Sequence, residues 1–320
     1  MTRKVTLFLI LTFLLTWTIE FAAIAWIGDF SAVSQPGSEF TSSAMVLFFI
    51  FCMYMPTVSV IIVKKGIYRE PLKPLGFSFS LNRWWAISVL IPVLVAVVSI
   101  FASTLEPGVT LSSGENYLME QVAGSSVSQE EKEEAEQLLQ ALGLSGILLA
   151  LLLFGTALIA GPTFNAFAAF GEEFGWRGFL QKEWTHIGFW KSSLLIGLIW
   201  GVWHFPLIYG GYNYPGEPVL GTIMMTVFTI TWSPIHAYVT VMGRSVIPAA
   251  ITHGTINAIG GITYVFLSGG SNLTSGFIGI TGVVLAIITC GFLWLHQNRY
   301  RESFTHAWDE FREGNLSETT

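Results

Sequence analysis

The chain has 320 residues, of which 52% are hydrophobic and only 11% are charged, and its mean hydropathy is +0.60. Soluble domains carry about 25% charged residues, so this composition excludes an ordinary water-soluble protein. The net charge is -6, and there is no basic cluster that would suit nucleic acid as a partner. Cys52 and Cys290 stand far apart in apolar stretches, so neither a disulfide framework nor a Cys-x-x-Cys zinc site is expected.

Apolar runs that are long enough to cross a bilayer occur along the whole chain. About 20 helical residues span a hydrocarbon core of about 30 Å. Eight runs approach or exceed that length: 5–27, 45–63, 85–103, 144–180, 189–209, 219–242, 246–267 and 277–296. The sequence therefore predicts an all-α fold, a polytopic transmembrane helix bundle of about eight spans that forms one domain over residues 1–320.

The fourth run is too long for one straight crossing. Its length of about 37 residues corresponds to about 55 Å at 1.5 Å per residue, and Gly161-Pro162 in its middle predicts a kink. The first run also has features of a signal peptide, with Arg3 and Lys4 before an apolar core. Because its apolar stretch continues beyond the usual signal length, we favour a membrane span.

The basic residues predict how the bundle is oriented, because lysine and arginine are concentrated in cytoplasmic connections. If the N-terminus is cytoplasmic, only Lys132 of the 15 basic residues falls on the outer side. We therefore expect an integral, multi-pass membrane protein in the lipid bilayer with both termini in the cytoplasm. We favour a bacterial or archaeal plasma membrane over the eukaryotic endoplasmic reticulum.

Two segments lie outside the predicted spans. The loop at about 104–143 contains the acidic run Glu130–Glu136, which predicts a short solvated helix on the outer face. In the tail at about 297–320, Phe304, Trp308 and Phe311 recur at helical spacing among charged residues. That pattern predicts a helix lying on the inner membrane surface.

A few polar residues interrupt the apolar runs of a predicted catalytic core at about 144–268. A charged side chain at membrane depth costs from about 2.5 to more than 10 kcal/mol, so such residues face the bundle interior and are functional candidates. They are Glu172, Glu173, Arg177, His204, His253 and Asn257. Both aspartates, Asp29 and Asp309, lie outside the runs, which excludes an intramembrane aspartyl pair, and the zinc-protease motif His-Glu-x-x-His is absent.

The spacing of these residues predicts how they are arranged. Glu173 and Arg177 are four residues apart, with the acid on the N-terminal side, which favours an ion pair on one helix face. Glu172 projects about 100° away from Glu173 and is left free for chemistry. His253 and Asn257 share one helix face by the same four-residue rule, so both are expected to point at one target.

The depths of the candidates agree with a shared site. Counted at 1.5 Å per residue from the nearest inner-face cation, Glu172, His204 and His253 lie about 15, 20 and 14 Å deep. We therefore expect the three side chains to meet. Gly197 and Gly201 precede His204 and predict close packing of that helix against a neighbour.

At these positions the sequence resembles the CPBP family of intramembrane proteases, which contains the Rce1-type CAAX prenyl endopeptidases and bacterial Abi-like proteins. The family motifs EExxxR, FxxxH and HxxxN read here as Glu172-Glu173-xxx-Arg177, Trp200-xxx-His204 and His253-xxx-Asn257. Trp200 replaces the usual Phe, an exchange between aromatic residues that is expected to preserve packing.

The resemblance implies an endopeptidase that cleaves a membrane-anchored peptide or protein. It implies a water-activating pair and an oxyanion-binding pair, which are Glu172 with His204 and His253 with Asn257. The supporting residues that it implies are Glu173, Arg177 and Trp200. This scheme needs no cofactor. In the alternative scheme, Glu172, His204 and His253 hold a zinc ion that activates the water.

Three other functions fit parts of the sequence. The chain can be a non-catalytic immunity or scaffold protein of the same family, or a proton-coupled transporter that uses buried Glu and His residues. The segment 143–146 also fits the Gly-x-Ser-Gly pattern of rhomboid serine proteases, with Ser145 as nucleophile and His236 as base. Outside that reading, His236 and Glu20 are interpreted as interhelical hydrogen-bond contacts.

Overall fold

Helices make up nearly all of the regular structure. The structure, a computed structural model, describes residues 2–28, 30, 43–73, 76–79, 81–112, 133 and 146–314. The helices are α1 (Arg3–Ile27), α2 (Ser43–Met53), α3 (Met55–Ile61), α4 (Arg83–Ser103), α5 (Gly146–Ala160), α6 (Ala166–Glu173), α7 (Phe189–Trp203), α8 (Phe205–Tyr209), α9 (Pro218–Gly243), α10 (Ile247–Ile259), α11 (Ile280–Arg299) and α12 (Arg301–Glu313). Strands β1 (Thr110–Leu111) and β2 (Leu267–Ser268) pair antiparallel, with Thr110 opposite Ser268.

The all-α membrane bundle is confirmed, but fewer helices span than expected. Within the described ranges, five are long and apolar enough to cross a membrane, namely α1, α4, Leu151–Glu183, α9 and α11, and the pair α2–α3, bent by 41°, is a sixth candidate. The fifth and seventh apolar runs form α7 and α10, of 15 and 13 residues. At 1.5 Å per residue these helices reach only about 20 Å, because α7 ends before Pro206 and α10 ends at Ile259, before Gly260.

The fourth run forms a continuous helix from Leu151 to Glu183. At the predicted kink, the chain makes a π-helical turn over Gly161–Asn165, and a second π-helical turn covers Phe174–Leu180. A π turn accommodates the missing N–H of Pro162 without ending the helix. The second turn directly follows the two glutamates at the end of α6, and π turns are frequent at functional sites.

The predicted close packing of the helix before His204 is confirmed. A Cβ atom on Gly197 would lie 2.6 Å from the Cα atom of Ile230, and one on Gly201 would lie 2.5 Å from the Cα atom of Thr226. The two glycines thus let α7 lie directly against the backbone of α9. This contact fixes the end of α7, from which His204 projects.

The helix that carries His253 is packed just as tightly, and this gives a stability prediction. A Cβ atom on Gly254 would overlap the backbone nitrogen of Ala166 and the carbonyl oxygen of Gly161. We expect Gly254→Ala to destabilise the fold by about 1–3 kcal/mol through overpacking, seen as a lower midpoint of thermal unfolding in detergent. Gly291→Ala is the control, since its Cβ would meet nothing within 4 Å, and an equal loss in both variants would contradict the prediction.

Polar contacts at one end of the bundle join the two ends of the described chain. The Lys4 ammonium donates to both carboxylate oxygens of Glu70, at 2.7 and 2.8 Å, and these hydrogen bonds hold the pKa of Glu70 below its usual range. Lys4 also lies 3.6 Å from Glu183, and the neighbouring Lys182 donates to the Phe311 carbonyl oxygen at 3.4 Å. Residues near both termini therefore lie at the same end.

The tail helix exists as α12, but its aromatic face packs on protein, whereas we expected it to face the membrane surface. The Phe304 ring lies 5.2 Å from the Phe189 ring and 5.3 Å from the Tyr238 ring, and the Trp308 ring lies 5.6 Å from that of Phe189. Aromatic residues at the start of α7 and on α9 provide this surface. The predicted acidic helix of the outer loop, except Glu133, lies outside the described residues, as does Ser145.

Candidate active site

The polar residues of the three motifs come from three neighbouring parts of the bundle, and all but one are buried. Glu172 and Glu173 end α6, and Arg177 follows in the second π turn. Trp200 and His204 stand at the end of α7, and His253 lies on α10. The exposed fractions are 0% for Glu173 and Arg177, 2% for Glu172 and Trp200, 4% for His253 and 9% for His204.

The expected ion pair between Glu173 and Arg177 is present. Arg177 Nη1 donates to Glu173 Oε1 at 2.9 Å, and both side chains are 0% exposed. The same carboxylate oxygen lies 2.8 Å from His253 Nδ1. Because a carboxylate oxygen here is an acceptor, Nδ1 must carry the hydrogen. Glu173 therefore ties α10 to the end of α6, and only Nε2 of His253 remains available to another group.

Trp200 lies at the centre of the cluster, which packing arguments from the sequence did not predict. Its indole Nε1 donates to Glu172 Oε2 at 2.7 Å, and its carbonyl oxygen lies 2.8 Å from His204 Nδ1. The Arg177 guanidinium lies 4.4 Å from the Trp200 ring centroid. One residue thus orients a carboxylate, an imidazole and a guanidinium. The signal in the sequence was that a buried indole N–H needs a partner, and Glu172 was the unpaired carboxylate.

The contact at His204 fixes the hydrogen positions of its ring. A carbonyl oxygen only accepts, so Nδ1 is the donor to Trp200 and Nε2 of the neutral ring carries a lone pair. The two carboxylate oxygens of Glu172 also differ. Oε2 accepts a hydrogen bond from Trp200, whereas no hydrogen bond to Oε1 is found within the described segments. One acceptor atom on each residue is therefore free to bind a water molecule.

Asn257 is not gathered into the cluster. It is exposed, whereas His253, one turn earlier on α10, is buried. Among the residues that the structure describes, no hydrogen bond joins Asn257 to Glu172, His204 or His253. The four-residue rule predicts that both side chains share one helix face, but only His253 is buried.

His236 lies beside the site, and its predicted interhelical hydrogen bond is wrong. His236 Nδ1 lies 2.9 Å from the carbonyl oxygen of Trp232 on its own helix, while the buried Nε2 has no partner in the described part of the chain. Its ring lies 5.3 Å from that of Trp200 and 5.8 Å from that of His253. Ring contacts across helix interfaces leave no pattern in the sequence, so His236 could not be assigned to the site.

A group of residues with metal-ligand chemistry is present, but it is not the expected one. Glu173, His236 and His253 each offer one ligand atom, and these atoms lie within 4.8 Å of one another. Within the described ranges, the predicted zinc set of Glu172, His204 and His253 does not form such a group. His253 instead places its Nδ1 2.8 Å from Glu173 Oε1.

An apolar groove lies near the site. Its volume is about 620 Å³, and it is lined by Leu47, Phe48, Ile50, Phe51, Tyr54 and Phe167. A Cβ atom on Gly171, the residue before Glu172, would lie 2.6 Å from the Tyr54 ring. The groove therefore borders the helix that carries the glutamates.

Comparisons with known proteins agree with these motifs. Residues 154–259, which contain all the motif residues, match the family described as Type II CAAX prenyl endopeptidase Rce1-like. CAAX prenyl protease 2 of Methanococcus maripaludis is 35% identical over 99 residues, which cover 28% of this chain and 35% of that protein. This chain therefore spans about a third of the length of the curated relative that it matches. No solved structure matches the chain. Over the segment 154–259, the chain is thus similar to the Rce1-like family of type II CAAX prenyl endopeptidases.

Proposed function

We propose that the protein is an intramembrane endopeptidase that hydrolyses a peptide bond in a membrane-associated peptide or protein. The observation that carries the proposal is that one residue, Trp200, holds both groups: its Nε1 donates to the buried Glu172 Oε2 at 2.7 Å, and its carbonyl oxygen accepts from His204 Nδ1 at 2.8 Å, which leaves His204 Nε2 free. A fixed carboxylate and a neutral imidazole are groups that can bind a water molecule and remove its proton.

The proposed reaction uses each group at a defined atom. Glu172 takes a proton from a water molecule that His204 Nε2 helps to hold, and the water oxygen attacks the scissile carbonyl carbon. His253 and Asn257 are assigned to the oxyanion that forms on the carbonyl oxygen. Because Nδ1–H of His253 is engaged with Glu173, the ring donates to the oxyanion from Nε2–H and acts there in its doubly protonated form. Asn257 is exposed, so its amide would contact the oxyanion from the exposed side of the cluster once the substrate is bound.

The cluster favours a reaction without a metal ion. A cation bound by Glu173, His236 and His253 would compete with Arg177, which is permanently charged and lies 2.9 Å from Glu173 Oε1. We therefore expect cleavage to persist in a chelator and the purified protein to hold less than one metal ion per chain by elemental analysis. A stoichiometric ion that is lost together with activity would establish the zinc-dependent alternative.

The substrate is proposed to be anchored in the membrane and reached from the cytoplasmic side. The apolar groove beside α6 has the lining that an apolar anchor or segment would require. The shared position of both ends of the chain supports a topology with both termini on one side of the membrane, and we assign that side to the cytoplasm.

The proposed function is tested with purified protein in liposomes. A peptide carrying a lipid anchor should be cleaved, while the same peptide without its anchor should be cleaved much more slowly, as mass spectrometry of the products would measure. Peptides that accumulate in membranes lacking the protein would supply natural sequences for the assay. No cleavage of any accumulated anchored peptide would favour an immunity or scaffold role, and inhibition by a serine-directed phosphonate would favour Ser145 chemistry.

The contact between Trp200 and Glu172 predicts the effect of restoring the usual family residue. Trp200→Phe keeps an aromatic ring but removes the hydrogen bond to Glu172. Hydrogen bonds to charged groups contribute about 1.5–3 kcal/mol, so we expect kcat to fall about 10- to 100-fold, together with a lower midpoint of thermal unfolding because the buried Glu172 carboxylate loses its partner. Trp190→Phe is the control, since its indole bonds Gln297 away from the site. Equal activity of Trp200→Phe and wild type would show that the indole does not orient Glu172.

A further inference from the structure

The residue before His204 is held by the N-terminal helix through both its side chain and its backbone. Trp203 ends α7 and is 1% exposed. Its indole Nε1 donates to the hydroxyl oxygen of Thr16 on α1 at 3.0 Å. Its carbonyl oxygen accepts a hydrogen bond from Trp17 Nε1, also at 3.0 Å. Two adjacent residues of α1 thus bind the indole and the carbonyl group of one tryptophan.

Both hydrogen bonds satisfy groups that the helix itself leaves unpaired. Because α7 ends at Trp203, the carbonyl of this residue is among the last four of the helix, which have no helical partner. A buried indole N–H also needs an acceptor, and Thr16, which is 0% exposed, provides one. Leaving either group unpaired is costly, so the two contacts favour one position of Trp203 relative to α1.

Aromatic contacts extend this attachment. The Trp17 ring lies 5.8 Å from the Phe205 ring, so α1 contacts the residue that follows the histidine as well as the one that precedes it. The Trp203 ring also lies 6.1 Å from the Trp176 ring, which in turn lies 5.7 Å from the ring of Phe8 on α1. The end of α7 is therefore enclosed by side chains that α1 supplies or contacts.

The ring of His204 packs against the tryptophan that α1 holds. The centroids of the His204 and Trp203 rings lie 4.9 Å apart, and the two planes meet at 81°, which is the favourable edge-to-face arrangement of aromatic rings. His204 Nδ1 is held by the Trp200 carbonyl oxygen at 2.8 Å. With Nδ1 fixed on one side and Trp203 on the other, the direction of Nε2 depends on where Trp203 lies.

We propose that Thr16 and Trp17 are positioning residues that act through Trp203 on the ring of His204. The helix α1 then belongs to the hydrolytic site, although it lies outside the segment 154–259 that matches the family. The inference rests on the proposed endopeptidase function, in which His204 Nε2 helps to hold the attacking water. A misplacement of about 1 Å at a reacting group costs about 100-fold in rate, so the position of this ring determines kcat.

Thr16→Val removes the acceptor for the indole and keeps the shape of the side chain. We expect kcat to fall about tenfold with KM within about twofold, because the water is displaced and the substrate contacts are not. Thr16→Ser keeps the hydroxyl and should restore the wild-type rate, and Thr18→Val, at an exposed position of the same helix, should not change it. Wild-type kcat in Thr16→Val, or a serine variant as slow as the valine variant, would overturn the proposal.

A double variant separates the hydrogen bond from general packing. Thr16→Val and Trp203→Phe remove opposite partners of one hydrogen bond, so the double variant should be no slower than the slower single variant. Additive losses would show that the two residues act independently and would contradict the proposal.

The second hydrogen bond from α1 has its own test. Trp17→Phe keeps an aromatic ring beside Phe205 but removes the donor to the Trp203 carbonyl oxygen. It should lower kcat in the same way as Thr16→Val. Trp26→Phe, at a position that is 89% exposed, is the matched control and should leave kcat unchanged. Equal kcat in Trp17→Phe and Trp26→Phe would remove Trp17 from the proposal.

Nuclear magnetic resonance of protein labelled with ¹⁵N-histidine tests the positioning without an activity assay. An aromatic ring shifts the signals of nuclei beside it, so displacement of Trp203 in Thr16→Val should move the ring signals of His204. The signals of His186, at an exposed position, should stay, and Thr18→Val should move neither set. Unmoved His204 signals in Thr16→Val would overturn the proposal. If wild-type protein cleaves nothing but these signals respond, the endopeptidase function fails and the link from α1 to His204 stands.

Discussion

Glu172→Gln is expected to lower kcat by at least about 100-fold, which is the lower end of what a general base contributes. Glutamine matches glutamate in size and can still accept a hydrogen bond from Trp200, whose Nε1 lies 2.7 Å from Glu172 Oε2. The fold should therefore be retained, while the group that removes the proton from water is lost. Initial rates on a membrane-anchored peptide in liposomes measure the effect, and thermal unfolding verifies the fold.

Matched controls separate this loss from a general effect of substitution. Glu302→Gln exchanges an exposed glutamate and should leave the rate unchanged. His253→Ala should also abolish cleavage, because it removes the ring that Glu173 orients at 2.8 Å, whereas His186→Ala, at an exposed position, should not. Full activity in either Glu172→Gln or His253→Ala would remove that residue from the proposed mechanism.

Local spacing was enough to predict part of this site. The Glu173–Arg177 pair follows from a four-residue separation on one helix, and the close contact at Gly197 and Gly201 follows from the absence of side chains. Such features depend only on helix geometry, which the sequence determines directly. The depths of the candidate residues were likewise obtained from residue counts alone. In the structure Trp200 contacts both Glu172 and His253, so these two residues lie at a similar level, as expected.

Features that depend on how helices rotate about their axes could not be predicted. Whether His253 faces Glu173 or a substrate depends on a few tens of degrees of rotation of α10, and the exposure of Asn257 follows from the same rotation. The sequence also predicted eight spans, because hydropathy counts apolar residues without showing where Pro206 or Gly260 ends a helix. Glu20 was misinterpreted because the partners that its carboxyl group meets depend on the packing of α1, and neither of its oxygens has a hydrogen-bond partner in the described part of the chain.

Arg177→Met is expected to have the largest effect on stability of any substitution at the site. Arg177 and Glu173 are both 0% exposed, and removing one partner of a buried ion pair leaves an uncompensated charge that costs about 3–5 kcal/mol. The substitution also removes the guanidinium 4.4 Å from the Trp200 ring. Thermal unfolding in detergent should show a marked fall in the midpoint, with lower activity because Trp200 and His253 lose their orientation.

The design of this test follows from the asymmetry of buried ion pairs. Removing both charges is far less damaging than removing one, so Arg177→Met combined with Glu173→Gln should recover much of the lost stability while the double variant remains poorly active. Arg312→Met breaks the exposed pair with Asp309, whose side chains are 53% and 41% exposed, and should cost less than about 1 kcal/mol. Two results would contradict this prediction: a loss of stability in Arg177→Met as small as that in Arg312→Met, or a double variant less stable than Arg177→Met. Either result would show that Arg177 does not compensate the charge of Glu173, the residue that orients His253.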